Sequence, residues 1–196
     1  MGLIGITGYA VEFSNYIGKG NSLSDLYAFE GSSNSVFGID YRGLIGSSLV
    51  FGELARSENG GIGGVAGVEA PIGFRTDLAL LYRNYQKDFQ SFLGTGFGES
   101  SSDPNNETGL YMNGYSVSGY VDQYTFDAPR SGTTQATQGY DVLGLVEGSL
   151  TRNLDAYVLI RNEIKDDEYV ILNNSGREER ILGKEKRASI RFQTEY

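Results

Sequence analysis

The residues able to do chemistry in this chain are carboxylates, hydroxyls and glycines, because Cys and His are both absent. Without Cys there are no disulfides, thiol nucleophiles or thiolate metal sites. Without His the commonest general base and metal ligand is missing, which excludes His-based triads and zinc hydrolases. Two clusters concentrate oxygen ligands, Asp103-Pro-Asn-Asn-Glu107 and Lys165-Asp-Asp-Glu168. Calcium takes such ligands, but neither cluster has the spacing of a calcium loop, and a solvated acidic loop is the plainer reading. Gly94-Thr-Gly-Phe-Gly98 could cradle a phosphate only ahead of a helix N-terminus. No helix is predicted there, so it reads as a flexible loop. Tyr82, Tyr85, Phe89 and Phe92 gather at one strand end. They suit either stacking on a sugar ring or an aromatic girdle at a lipid–water interface, and the girdle is preferred. No activating constellation surrounds any Ser, Lys, Asp or Tyr. The expectation is no enzyme, and no catalytic, cofactor-binding or metal-binding residues.

The elements that would position these groups are strands. Gly accounts for 28 of 196 residues, roughly twice the average share, with 14 Tyr, 10 Phe, only 3 Pro and no Trp. The hydrophobic fraction of 39% is enough for a core, so wholesale disorder is not expected. Period-2 alternation recurs. Phe37, Ile39 and Tyr41 alternate with Gly38, Asp40 and Arg42; Leu78, Leu80 and Tyr82 alternate with Asp77, Ala79, Leu81 and Arg83. Val117, Gly119 and Val121 oppose Ser118, Tyr120 and Asp122. Val158, Ile160 and Ile164 oppose Tyr157, Leu159, Arg161 and Glu163, and Ile190, Phe192, Thr194 and Tyr196 oppose Ser189, Arg191, Gln193 and Glu195. Asn59-Gly60 is a hairpin signal, and Pro71-Ile72-Gly73 and Thr151-Arg152-Asn153 read as tight turns.

Strands are expected at 2–13, 33–43, 46–57, 62–70, 74–86, 108–126 (one long strand or two), 139–149, 154–169 and 181–196. Polar loops are expected at Asn15–Asp25, Gly94–Thr108, Asp127–Gln138 and Asn173–Lys186, and Ser22–Phe29 could form one helical turn. The fold class is therefore all-β, an antiparallel up-and-down meander of about 9–10 long strands. Strands of about 9–14 residues exceed the usual ~5–6 and reach the ~9–11 that a tilted strand needs to cross a bilayer. One face carries Asp40, Arg42, Asp77, Arg83, Asp122, Arg161, Glu163, Arg191 and Glu195. A dry interior cannot hold so many charges, whereas a wet lumen or a solvent-facing sheet can. Two readings follow: an outer-membrane β-barrel, closed or open, in contact with outer-membrane lipid and other envelope proteins, or a soluble or surface-exposed binding module using tyrosine-rich and acidic loops. Lys+Arg 16 against Asp+Glu 25 gives a net charge of −9, which argues against a nucleic-acid partner.

Several stretches carry a family likeness: Phe51-Gly-Glu-Leu-Ala-Arg-Ser-Glu-Asn-Gly60, Asp77 to Ser91, Phe97-Gly-Glu99, Asn106 to Tyr111, Ser118 to Tyr124, Asp127-Ala-Pro129 and Gly139-Tyr-Asp141. Over about residues 33–196, and most densely over 51–124, their order and spacing resemble the C-terminal β-barrel of Bacteroidetes outer-membrane proteins of the helix-hairpin-helix, competence-protein-like type. The segment that gives that family its name is absent, so no DNA-binding role carries over. The stretch Met112-Asn-Gly-Tyr115 is shorter than the family's hairpin, which points to a lost or fused strand and an odd count. Such proteins are longer, and the resemblance implies a single barrel-like domain over 1–196 that is the C-terminal part of a longer chain. The opening MGLIGITGYAVEF lacks the basic region and cleavage site of a signal peptide, and Ile6 breaks a myristoylation pattern, as expected of a mature or internal piece. The Ile190/Phe192/Thr194/Tyr196 alternation resembles a C-terminal barrel-insertion signature, or is coincidence in a fragment. In a fragment, strands 2–13 and 181–196 need not pair, and an open sheet is expected.

Overall fold

The computed structural model describes residues 2–21, 25–73, 76–94, 96–98, 105–114, 118–130, 133–151, 154–173 and 175–195. Ten strands form one sheet: β1 (Gly2–Ile17), β2 (Gly31–Ile45), β3 (Ser48–Ser57), β4 (Ile62–Gly73), β5 (Thr76–Tyr85), β6 (Glu107–Gly114), β7 (Ser118–Phe126), β8 (Thr137–Thr151), β9 (Leu154–Leu172) and β10 (Glu178–Glu195). Each strand pairs antiparallel with its neighbours in sequence, in the order β1 to β10. Short connections at 46–47, 74–75, 115–117 and 152–153 lie at one end of the sheet, and the longer ones, 18–30, 86–106 and 127–136, lie at the other. This is the expected up-and-down meander, because connections between successive antiparallel strands need no crossover.

Three expectations change. The segment 108–126 is two strands, β6 and β7, paired from Thr108↔Thr125 to Gly114↔Gly119, so the count is even and no strand is lost. Pro71 lies inside β4, not in a turn, beside a register shift between Pro71 and Gly73. A strand tolerates proline at such an irregularity, where a missing N–H breaks no regular ladder. The expected polar loop 173–186 is mostly strand: β9 and β10 pair out to Glu178↔Leu172, leaving 173–177 as the connection. Its charges are cross-strand partners, with Lys184 Nζ 3.1 Å from Asp166 and Lys165 3.3 Å from Glu185. The Asn59-Gly60 hairpin is present, as the four-residue connection 58–61 between β3 and β4. Gly60 has a positive φ of 96° and Asn59 does not, and Ser57 N–H reaches the Gly61 carbonyl.

Register assigns every paired side chain to one of two faces, because opposed residues point the same way. Ile4, Ile6, Phe37, Ile39, Tyr41, Leu54, Leu80, Tyr82, Leu110, Met112, Val121, Ile160, Ile190 and Phe192 share one face. All but half-buried Leu80 are exposed, Ile4 by 71% and Ile190 by 76%. Asp40, Arg42, Glu53, Arg83, Glu107, Asp122, Asp141, Arg161, Glu163 and Arg191 share the other. Phe37, Ile39, Tyr41, Ile190 and Phe192 thus oppose Asp40, Arg42 and Arg191, as the alternation implies. The Glu195 side chain and Tyr196 lie outside what the structure describes. The buried side chains, among them Asn34, Val36, Tyr85, Tyr124 and Phe126, sit on the charged face. Five adjacent strands there line one cavity, so this face is concave.

The apolar band crosses the strands obliquely. One hydrogen-bonded row runs Ile39, Leu54, Gly64, Asn84, Thr108, Thr125 and ends at the Asp166–Lys184 pair. It begins apolar on β2 and ends charged on β9 and β10, so the convex face carries charges beyond the band, Asp166, Lys184 and Lys186 among them. On those last strands the band lies nearer the short-turn end, at Val158, Ile160, Ile190 and Phe192. Such drift is the geometry of strands tilted against a planar apolar layer. The sheet does not close: β1 and β10 make no mutual contact and each keeps one unpaired edge.

Candidate functional site

A strap formed by the β5–β6 connection covers half of the concave face. Six polar contacts fasten its residues 86–92. Gln86 Oε1 accepts from Ile62 N–H at 2.9 Å. Asn59 Nδ2 donates to the Asp88 carbonyl at 2.6 Å, and Gln90 N–H to Ser57 Oγ at 3.3 Å. Buried Asn34 donates Nδ2 to the Gln90 carbonyl at 3.0 Å. On β1, the Tyr9 hydroxyl accepts from Phe92 N–H at 2.8 Å and lies 3.1 Å from Ser91 Oγ. The strap thus ties β4, β3, β2 and β1 in turn. Its anchor is Phe89, buried against Val36 and Tyr85. The ring lies on Gly63, where a Cβ would stand 2.6 Å from it, so only glycine admits the contact.

The other half of the face is a run of ion pairs. Arg83 is fully buried; its Nε donates to Glu107 at 2.5 Å, and its Nη1 and Nη2 donate to the two Asp122 oxygens at 2.8 and 3.0 Å. The bidentate fork fixes β5 to β7 across β6. The guanidinium occupies the space above Gly109 of β6, where a Cβ would stand 2.4 Å from Cζ. The Phe97 ring covers it at 5.6 Å. Beyond it, Tyr111 stacks on Tyr120, whose hydroxyl donates to Asp141 at 2.7 Å, and Arg161 Nη2 donates to Asp141 at 2.6 Å. Asp122 and Asp141 lie directly opposite each other on β7 and β8. Two like charges can face each other in a buried site only because each has its own arginine.

The expected sites disperse. Of the Asp103–Glu107 cluster, 103 and 104 lie outside the described residues, Asn106 exchanges two 2.8 Å hydrogen bonds with the Ala128 backbone, and Glu107 is committed to Arg83. Asn106 has φ of 54°, a left-handed conformation that Asn tolerates. The Lys165–Glu168 cluster pairs with β10, and Glu168 accepts the N–H and hydroxyl of Thr134. Among the described residues no group of three acidic side chains is arranged to hold a metal ion. The aromatic girdle is corrected: Tyr82 alone of the four lies on the apolar face, Tyr85 and Phe89 are buried on the concave side, and Phe92 packs edge-on to Phe13 and Phe29. Phe89 and Phe92 lie past the end of β5, where strand alternation no longer fixes direction.

Sequence reasoning placed Arg83, Asp122 and Arg161 on the charged face but missed their pairing, and it missed Tyr9, Asn34 and Ser91 altogether. An arginine at an inward position of an apolar strand is the signal that a partner is required. Between strap and strands lies a cavity of about 580 Å³ bounded by Thr7, Gly38, Glu53, Leu81 and Phe97, among others. Fastened loop and buried ion pairs together make a filled concave face, with room for a small molecule at one side. No family model, curated protein or solved structure matches the chain.

Proposed function

We propose that this chain forms the wall of an outer-membrane β-barrel, or a section of one, with a passive transport or envelope role and no catalytic activity. Outer-membrane lipid and other envelope proteins are its partners. One observation carries the reading: a ten-stranded sheet exposes an oblique apolar band on its convex face and, behind that band, sets Asp40, Arg42, Arg83, Asp122, Arg161 and Arg191 on the concave one. Soluble monomers rarely expose apolar patches beyond a few hundred Å², whereas lipid requires such a surface. The open edges support a section that further strands complete, because lipid satisfies no unpaired backbone groups. The likeness to Bacteroidetes helix-hairpin-helix outer-membrane proteins agrees with this reading. The strap and ion pairs favour a filled lumen over an open pore.

The absence of Cys makes the test clean. Single cysteines at positions 36 to 42 are spin-labelled in lipid vesicles, and collision with oxygen is compared with collision with a water-soluble nickel complex. Oxygen accessibility should peak at Phe37, Ile39 and Tyr41 and nickel accessibility at the alternate positions. A chain that stays monodisperse in detergent-free buffer and ignores vesicles is instead the soluble binding module.

A further inference from the structure

The cavity beneath the strap is used by neither the barrel reading nor the ion-pair run. Its walls are aromatic, formed by Tyr9, Phe51, Tyr85, Phe89 and Phe97. Among the described residues one carboxylate, Glu53, opens into it. That carboxylate lies beside Gly38, with Oε1 3.9 Å from where a Cβ would stand, so the missing side chain keeps the space open. Among the described residues Glu53 has neither a hydrogen bond nor an ion pair within 4.0 Å. Arg83, on the same face two strands away, is committed to Glu107 and Asp122. Asp40, opposite Glu53 on β2, adds a second negative charge outside the cavity wall, its carboxylate over Gly5, and Arg42 on the same face forms no ion pair with either carboxylate within 4.0 Å among the described residues.

We infer that this cavity binds a small organic cation: a primary or quaternary ammonium on a compact apolar body. Aromatic faces attract such cations through the ring quadrupole. An uncompensated carboxylate supplies a charge-assisted partner, and Asp40 deepens the negative potential. The volume of about 580 Å³ lies within the usual range for small-molecule sites. The strap holds Phe89 and Phe97 over the strands, so the walls are in place before a ligand arrives. The inference uses the concave face alone and stands whether or not the convex face meets lipid.

Calorimetric titration of the whole chain with phenethylammonium, 2-phenylethanol and phenylacetate tests it, since the three differ chiefly in charge. The ammonium should bind at least about fivefold more tightly than the alcohol, and phenylacetate should not bind. Glu53→Gln, nearly isosteric, should bring ammonium and alcohol to within about twofold of each other while leaving the far-UV spectrum unchanged. Ala55→Phe fills the cavity and should abolish binding of both. Equal binding of ammonium and alcohol to the native chain, ammonium binding that survives Glu53→Gln unchanged, or no binding of any probe overturns the inference.

Discussion

Replacing Arg83 by methionine tests the concave face most directly. The side chain is fully buried, and its two partners are nearly so, at 1% exposure for Glu107 and 5% for Asp122. Methionine fills similar volume but leaves two buried carboxylates with no counter-charge. Breaking a buried pair from one side costs about 3–5 kcal/mol, most of it the penalty of the stranded charge. Here two carboxylates are stranded, so the upper half of that range is expected. The triple variant Arg83→Met/Glu107→Gln/Asp122→Asn removes all three charges and should recover most of the loss, since neutralising a whole buried cluster is often tolerated. Urea unfolding of the folded chain, followed by circular dichroism, measures both variants. A loss below about 1 kcal/mol for the single variant is the behaviour of solvent-exposed ion pairs. It would refute the buried cluster, and so would a triple variant no more stable than the single one.

Ile39→Arg should cost about 2–4 kcal/mol when unfolding is measured in lipid vesicles, because Ile39 lies in the apolar band; an effect within about 0.5 kcal/mol, as at an ordinary soluble surface, counts against lipid contact. Phe89→Ala removes the strap's buried anchor and should destabilise it by about 3–5 kcal/mol, read as rapid proteolytic cleavage within 86–94 while the strands stay protected; unchanged cleavage means the six polar contacts alone hold the strap. The Glu168 carboxyl, beyond the apolar band on β9, is held below its ordinary value chiefly by the hydrogen bond from the Thr134 hydroxyl. Its folded pKa is lower than its unfolded one, so its contribution is full above the unfolded value and disappears as pH falls through the folded one. Hydrogen exchange at the Thr134 amide should therefore quicken only in acid, and Glu168→Gln should flatten that profile; a rise in exchange toward alkaline pH beyond the intrinsic rate contradicts the assignment.

Strand identity and face were legible in the sequence because both are local. A period of 2 places Phe37, Ile39 and Tyr41 opposite Asp40 and Arg42 regardless of what pairs with them. The same rule placed Leu80 against Arg83 and Ile190 against Arg191. At 178–180, where Glu178, Glu179 and Arg180 put charge on both faces, the sequence reads as loop and the expected strand starts only at 181; Arg180 is acceptable in a strand once Glu168 of β9 lies 3.7 Å from it. Residues outside the ladder escaped altogether. Phe89 and Phe92 follow no period, and their directions come from Tyr9, Asn34, Val36 and Gly63, which lie on strands far back in the chain. Tyr9 and Ser91 are 82 residues apart, and Arg83 and Asp122 are 39 apart. Which carboxylate meets which arginine is set by strand register, a relation between distant segments that local alternation leaves open. The sequence by itself therefore determined strands, faces and the absence of His and Cys chemistry. The open edges agree with the open sheet that the family resemblance implied; the tertiary structure alone decided the strapped cavity and the ion-pair partners, because each depends on contacts between strands whose spacing along the chain carries no information about their alignment.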